Sequence, residues 1–216
     1  MDAADNGRPI ELVCFDIGRV LLGIADDWRQ ACRMAGIEFE GDLGDEQRQR
    51  MRELVWHQEV GEIGQREYAA GLAACSGLTS EQINCLSDTW LREPFPGAID
   101  LIDRLQDTSV RTACLSNTNA YHWNLFTDPG HRSYLPLERL DHHFASHLVG
   151  SRKPERAIYE HVERATGLPG EAILFFDDLE ENVAAALERG WQAHRILPRP
   201  SPVTQMTDHL QRHGVL

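Results

Sequence analysis

No apolar run in this chain of 216 residues approaches the ~20 needed to cross a bilayer, so no membrane partner is expected. Cysteine is scarce. Cys14, Cys32, Cys75, Cys85 and Cys114 form no CxxC pair and leave one over, which points to neither a disulfide framework nor a structural zinc site. Cys14 and Cys114 fall inside apolar runs, where a small buried hydrophobe is the usual explanation. Basic charge is short as well. With 34 acidic against 21 basic residues the formal charge is −13, the wrong sign for gripping a phosphate backbone, and no nucleic-acid partner is expected. The excess reads as a solvated, solubilising surface, though it leaves room for a local basic pocket that holds a small anion. There is no internal repeat and no low-complexity block, and the acidic, polar start Met1–Gly7 is unlike a secretory signal. The expectation is a cytoplasmic globular protein, monomeric or homodimeric, with one large domain or a core plus a smaller insert.

What is present has an alternating rhythm. Four short apolar runs, Leu12–Phe15, Val110–Leu115, Ala172–Phe176 and Trp191–Ile196, have strand character. Between them lie helical stripes: Ile99, Leu101, Ile102 and Leu105; Ala157, Ile158, Val162 and Ala165; Val183, Ala186 and Leu187. Strands alternating with helices mean βαβ units, hence an α/β fold with a largely parallel sheet. The stretch from Ala25 to Arg92 breaks the rhythm: it carries helical patterns such as Met51–Trp56, a helix start at Thr79 or Ser80, and no convincing strand. It reads as a helical insert, 25–92, in a core made of 1–24 and 93–216, with Pro94-Phe95-Pro96-Gly97 marking the return. Leu197–Pro202 is a stiff connector to a last short helix.

Four features sit just past strands, where open α/β sheets place their ligands. Asp16 ends the first run and is followed by Gly18. Ser116-Asn117-Thr118-Asn119 ends the second, offering a hydroxyl and backbone N–H groups as an anion cradle or simply a helix cap. Lys153, held before Pro154, is a cation at a helix start, where the helix dipole mildly opposes it and a partner anion or solvent is needed. Asp177-Asp178 ends a fully apolar run, and two adjacent carboxylates there are costly unless something cationic, such as Mg²⁺, gathers them.

Each signal alone is modest, but the order Asp16, Ser116, Lys153, Asp177-Asp178 resembles the four-motif layout of the haloacid dehalogenase-like hydrolase superfamily. The strings FDIGRVL, LSNTN, RKPERAIYEHV and FFDD followed by Asn182 are most similar to its bacterial sugar-phosphatase branch, which includes an alpha-glucose-1-phosphate phosphatase. His57–Ile63 resembles that branch's cap. The resemblance implies a Rossmann-like core with a small helical cap domain, and a Mg²⁺-dependent phosphatase of small phosphomonoesters, sugar phosphates being the expected class. It implies Asp16 as nucleophile, forming an aspartyl-phosphate that water hydrolyses. Mg²⁺ would be held by Asp16, the Gly18 carbonyl and Asp178, with Asp177 a ligand directly or through water. Ser116 and the Asn117 amide would hold phosphoryl oxygens, and Lys153 would balance their charge.

Gly18 departs from the family pattern, which most often has a second aspartate there to protonate the leaving alcohol and then activate water. Without it, about 10²–10⁴ in rate is at stake. Either the substrate's leaving oxygen needs little protonation, as in a sugar 1-phosphate, or another group substitutes, with His57, also a candidate substrate-binding residue, and His122 as candidates. Arg19, Trp56 and Trp123 are candidates for the pocket rim. Two other readings stay open: a 2-haloacid dehalogenase-type hydrolase, which needs no divalent metal, and a catalytically silent phospholigand-binding protein.

Overall fold

The computed structural model describes residues 9–39 and 43–216. Its elements, in chain order, are β1 (Leu12–Phe15), β2 (Leu22–Ile24), α1 (Trp28–Met34), α2 (Asp45–Glu59), α3 (Gln65–Ser76), α4 (Ser80–Trp90) and β3 (Leu91–Pro94). There follow α5 (Ala98–Gln106), β4 (Arg111–Ser116), α6 (Ala120–Thr127), β5 (His142–Ala145), α7 (Ser146–Val149) and α8 (Arg156–Thr166). The chain closes with β6 (Ile173–Asp177), α9 (Glu180–Glu188), β7 (Gln192–Arg195) and α10 (Pro202–Arg212).

Five strands form one parallel sheet in the order β5-β4-β1-β6-β7. The chain builds outward from β1 on one side, then returns to build on the other, so β1 stands at the switch point, where a crevice opens beyond the strand ends. Alternation explains why β1 is apolar throughout and β4 and β6 through their middles: each side chain there faces one of two cores. Val13, Phe15, Cys114, Leu174 and Phe176 pack with Leu101, Ile102 and Leu105 of α5 and Met206 and Leu210 of α10. Leu12, Cys14, Ala113, Leu115, Ile173 and Phe175 pack with Ile158 and Val162 of α8 and Val183 and Ala186 of α9. Burying one such side chain stabilises by about 1.5–3 kcal/mol, and a one-residue slip would exchange the two sets, so register is firmly fixed.

Helices α1 to α4 share a core of their own, including Ala31, Cys32, Leu54, Ala69, Leu72, Ile83 and Leu86. Thr79 caps α4 by accepting from the Gln82 N–H, while the Gln82 side chain accepts from the Thr79 N–H. Strands β2 and β3 pair antiparallel, Leu22 with Pro94 and Ile24 with Leu91, and so pinch the helical segment at its root. Two features differ from the sequence expectation. The last two residues of the 25–92 stretch, Leu91 and Arg92, are strand, because their partner lies before the insert and Arg92 and Glu93 stay exposed. A fifth strand, β5, lies at the sheet edge, where only Phe144 and Ala145 are buried and no apolar run is required. No described helix is long and apolar enough to cross a membrane.

Candidate active site

Parallel in-register pairing assembles the site. Phe15 is level with Cys114 and Phe176, so the next residues, Asp16, Leu115 and Asp177, share one level at the sheet's C-terminal edge. The Asp16 N–H donates to the Phe176 carbonyl at 2.8 Å. Oxygens from Asp16, Asp177 and Asp178 lie within 4.8 Å of one another. The Lys153 ammonium, 1% exposed, lies 2.8 Å from Asp16 Oδ1 and 2.7 Å from Asp177 Oδ2. Its third bond, 2.7 Å, goes to the Leu115 carbonyl. Asp177 is fully committed: it also accepts from the Asn182 side chain and from the Leu179 N–H, a turn that opens α9.

The electrostatics follow from three carboxylates around one buried ammonium. Burial is the chief cause that pushes the Asp16 carboxyl up to about 7, Asp177 and Asp178 adding to it while Lys153 opposes. Burial, then Asp177, raises Asp178 to about 6, with Arg19 and Lys153 opposing. For Lys153, burial works against the charge, but Asp16 and Asp177 outweigh it and hold the ammonium above its usual range. If all four ionise, the cluster carries a net charge of minus two in a low-dielectric setting.

Around this cluster the loops are fixed by side chains. The Asn117 side chain donates to the Lys153 carbonyl and accepts from the Lys153 N–H, both at 2.8 Å, clamping the second and third motifs together. Asn119 caps α6 by accepting from the His122 N–H. Ser116 is a buried residue, and its hydroxyl has no hydrogen-bond partner among the described residues. Arg19 has φ of +60°, a left-handed conformation rare for a side chain of this size and of the kind that collects at functional sites. Gly18 has no such constraint: a Cβ there would meet only Ile24, at 3.5 Å, so the backbone does not require glycine.

Above Gly18, Ser116 and Asn117 lies a cavity of about 230 Å³ between sheet edge and helices. Trp28, Met51, Val55, Leu72, Leu86 and Phe126 give it apolar walls, and Gln58, Glu59, Ser87, Asn119 and His122 a polar band.

A model of the haloacid dehalogenase-like hydrolase family matches residues 10–190. The chain belongs to this family. Several solved structures of haloacid dehalogenase (HAD) type share its fold. The HAD family enzyme BT-2542 of Bacteroides thetaiotaomicron is 23% identical with a TM-score of 0.76, covering 89% of this chain and 96% of its own. The same enzyme, in complex with magnesium and inorganic phosphate, matches at 23% identity with a TM-score of 0.74, over the same 89% and 96%. An HAD-like family hydrolase of Porphyromonas gingivalis is 26% identical with a TM-score of 0.76, over 94% of this chain and 99% of its own. L-2-haloacid dehalogenase of Xanthobacter autotrophicus, with chloropropionic acid covalently bound, is 18% identical with a TM-score of 0.61, over 96% and 84%.

In this HAD-like hydrolase the structure brings Asp16, Gly18, Ser116, Asn117, Lys153, Asp177 and Asp178 to one edge. It does not bring His57 there. His57 is half-buried, with Nδ1 2.5 Å from Glu62 Oε2, and lies outside the cavity lining, because α2 turns it to the opposite side from Met51 and Val55. His122 does reach the cavity, but Nε2 lies 3.0 Å from the Ser87 carbonyl and Nδ1 lies 3.4 Å from the Asn119 amide. Burial lowers it to about 4, so it is neutral at physiological pH and donates to Ser87. Arg19, Trp56 and Trp123 do not line the cavity; Arg19 bonds the Asp26 carbonyl, Trp56 donates to Glu155, and Trp123 packs on Phe126. Glu59 and Ser87 went unnoticed in the sequence. The signal for Glu59 was a carboxylate at i+8 on the stripe begun by Met51 and Val55.

Proposed function

We propose that the protein is a Mg²⁺-dependent phosphatase of small phosphomonoesters, sugar phosphates first among them, acting through an aspartyl-phosphate on Asp16. One observation carries this: three carboxylates within 4.8 Å around a single buried ammonium, beside an unpartnered hydroxyl. Hard oxygen donors with uncompensated charge suit Mg²⁺. Asp16, Asp178 and the Gly18 carbonyl would hold it, and Asp177, whose oxygens are already committed, would serve through water. Bound there, Mg²⁺ would neutralise the cluster and polarise a phosphoryl oxygen. Asp16 attacks phosphorus in line; Ser116 and the Asn117 amide hold phosphoryl oxygens; Lys153 keeps Asp16 ionised and offsets charge on the phosphoryl group. The complex of BT-2542 with magnesium and inorganic phosphate supports this reading.

Residues 25–92 would act as a cap over a core of 1–24 and 93–216, and limit water access to the intermediate. The cavity of about 230 Å³ is at the small end of ligand sites, which run roughly 300–1,000 Å³, and favours a small organic group with both apolar and hydroxyl-bearing faces. We place the activity in the cytoplasm, in a monomer or homodimer. The haloacid dehalogenase reading leaves the negative cluster without a counter-charge, since that chemistry uses no divalent ion. Phosphate release from a panel of sugar phosphates, with Asp16→Asn as control, tests the proposal; no release from any ester by wild type would favour a silent phospholigand-binding protein.

A further inference from the structure

An alkyl phosphate cannot be cleaved well unless its departing oxygen receives a proton, and a positioned acid contributes about 10²–10⁴ in rate. Most ionisable groups around the site are otherwise engaged. Asp16 is the nucleophile in the proposed reaction, and Asp177 is spent on Lys153, Asn182 and the Leu179 N–H. The Lys153 ammonium holds three oxygens. Asp178 belongs to the carboxylate cluster. Both ring nitrogens of His122 have partners. Gly18 brings only backbone to the cavity wall.

Glu59 remains. Among the described residues it is the only carboxylate lining the cavity, shared there with Gly18, Ser116 and Asn117. It is the last residue of α2, on the face of Met51 and Val55 at i, i+4 and i+8. Its Oε2 is buried with no hydrogen bond, yet lies 2.6 Å from Arg152 Nη1, an ion pair whose angle is outside hydrogen-bond geometry. Arg152 precedes Lys153, so this pair ties the end of α2 to the loop that carries the catalytic lysine. Resting on the phosphatase reading, we propose that Glu59 is the proton donor to the leaving oxygen, supplying the carboxyl that Gly18 lacks. Burial, the largest influence, raises the proton affinity of Glu59 against Arg152 and Lys153.

The step balances. An Asp16 oxygen bonds to phosphorus as the bond from phosphorus to the organic oxygen breaks; that oxygen keeps the electron pair and takes the Glu59 proton, leaving as the alcohol. Water then attacks phosphorus, the Glu59 carboxylate takes a proton from it, and Asp16 and inorganic phosphate are released.

The test compares kcat/KM, which covers the steps through leaving-group departure, for glycerol 1-phosphate and p-nitrophenyl phosphate. Glu59→Gln should lower the value for the alkyl ester at least about 10²-fold more than for the nitrophenyl ester, whose leaving group needs no acid. In a Gly18→Asp background, which the space at Gly18 permits, the same substitution should cost the alkyl ester less than about tenfold. Equal losses on both esters, no loss, or a loss equally large in the Gly18→Asp background would overturn the proposal. No turnover of either ester by the wild type would remove the phosphatase reading itself, a result distinct from these.

Discussion

Lys153 has its ammonium between Asp16 and Asp177, within 2.8 Å of both and almost without exposure. Replacing it with Met leaves two buried carboxylates facing each other with no cation, a class of change that costs about 3–5 kcal/mol. Denaturant unfolding of Lys153→Met should show a loss of that size; a loss under ~1 kcal/mol would mean that the carboxylates find another counter-charge. Asp16→Asn relieves repulsion, so the variant should stay folded while phosphate release falls roughly 10⁴-fold or more. His122 gives a pH prediction. Its folded value, about 4, lies below the ordinary 6.5, so its contribution is complete above pH 6.5 and is lost as pH falls toward 4. That loss is on the order of 3 kcal/mol, and His122→Asn should flatten the stability curve in this window. Residues at strand ends were the legible part of the site, because a charge at the end of an apolar run stands out. Glu59 was not, because a carboxylate on a helix reads as solvated unless the partner that covers it is known.

The elements divide in the same way. β1 coincides with its apolar run and β4 and β6 lie within a residue of theirs, because strands buried on both faces have a nearly continuous apolar signal, while β7 lies within a residue of its run because buried Trp191 and Ile196 flank it. β5 buries only Phe144 and Ala145, and the β2–β3 ribbon joins residues about seventy apart, so neither leaves a local pattern. The loop from α2 to α3 approaches the core at Gly61, whose φ is +79° and where a Cβ would fall 2.4 Å from the His147 carbonyl oxygen. Gly36, at φ +66°, has nothing within 4 Å. Gly36→Ala should therefore cost only the backbone strain, about 1–2 kcal/mol, while Gly61→Ala should cost more and also move the end of α2 with Glu59. Thermal unfolding of the two variants checks this; equal losses would mean that the Gly61 loop shifts freely away from α7.

At the scale of the molecule, the formal charge of −13 has the wrong sign for gripping a phosphate backbone and leaves the acidic cluster to be explained. The alternation of strands and helices made the parallel sheet legible, and the sheet's register, absent from any local pattern, is what turns four scattered motifs into one site. A cluster of three carboxylates and one lysine should bind Mg²⁺ even without substrate. Mg²⁺ at about 100 times its Kd should raise the unfolding free energy by about 2.7 kcal/mol, and Asp16→Asn should reduce the gain. The most direct test of the central claim is phosphate release from sugar phosphates and p-nitrophenyl phosphate, with and without EDTA, by wild type and Asp16→Asn, alongside chloride release from 2-chloropropionate. The account predicts phosphate release that EDTA abolishes and Asp16→Asn lacks, and no chloride. Chloride release indifferent to EDTA, or phosphate release equal in the two proteins, would contradict it.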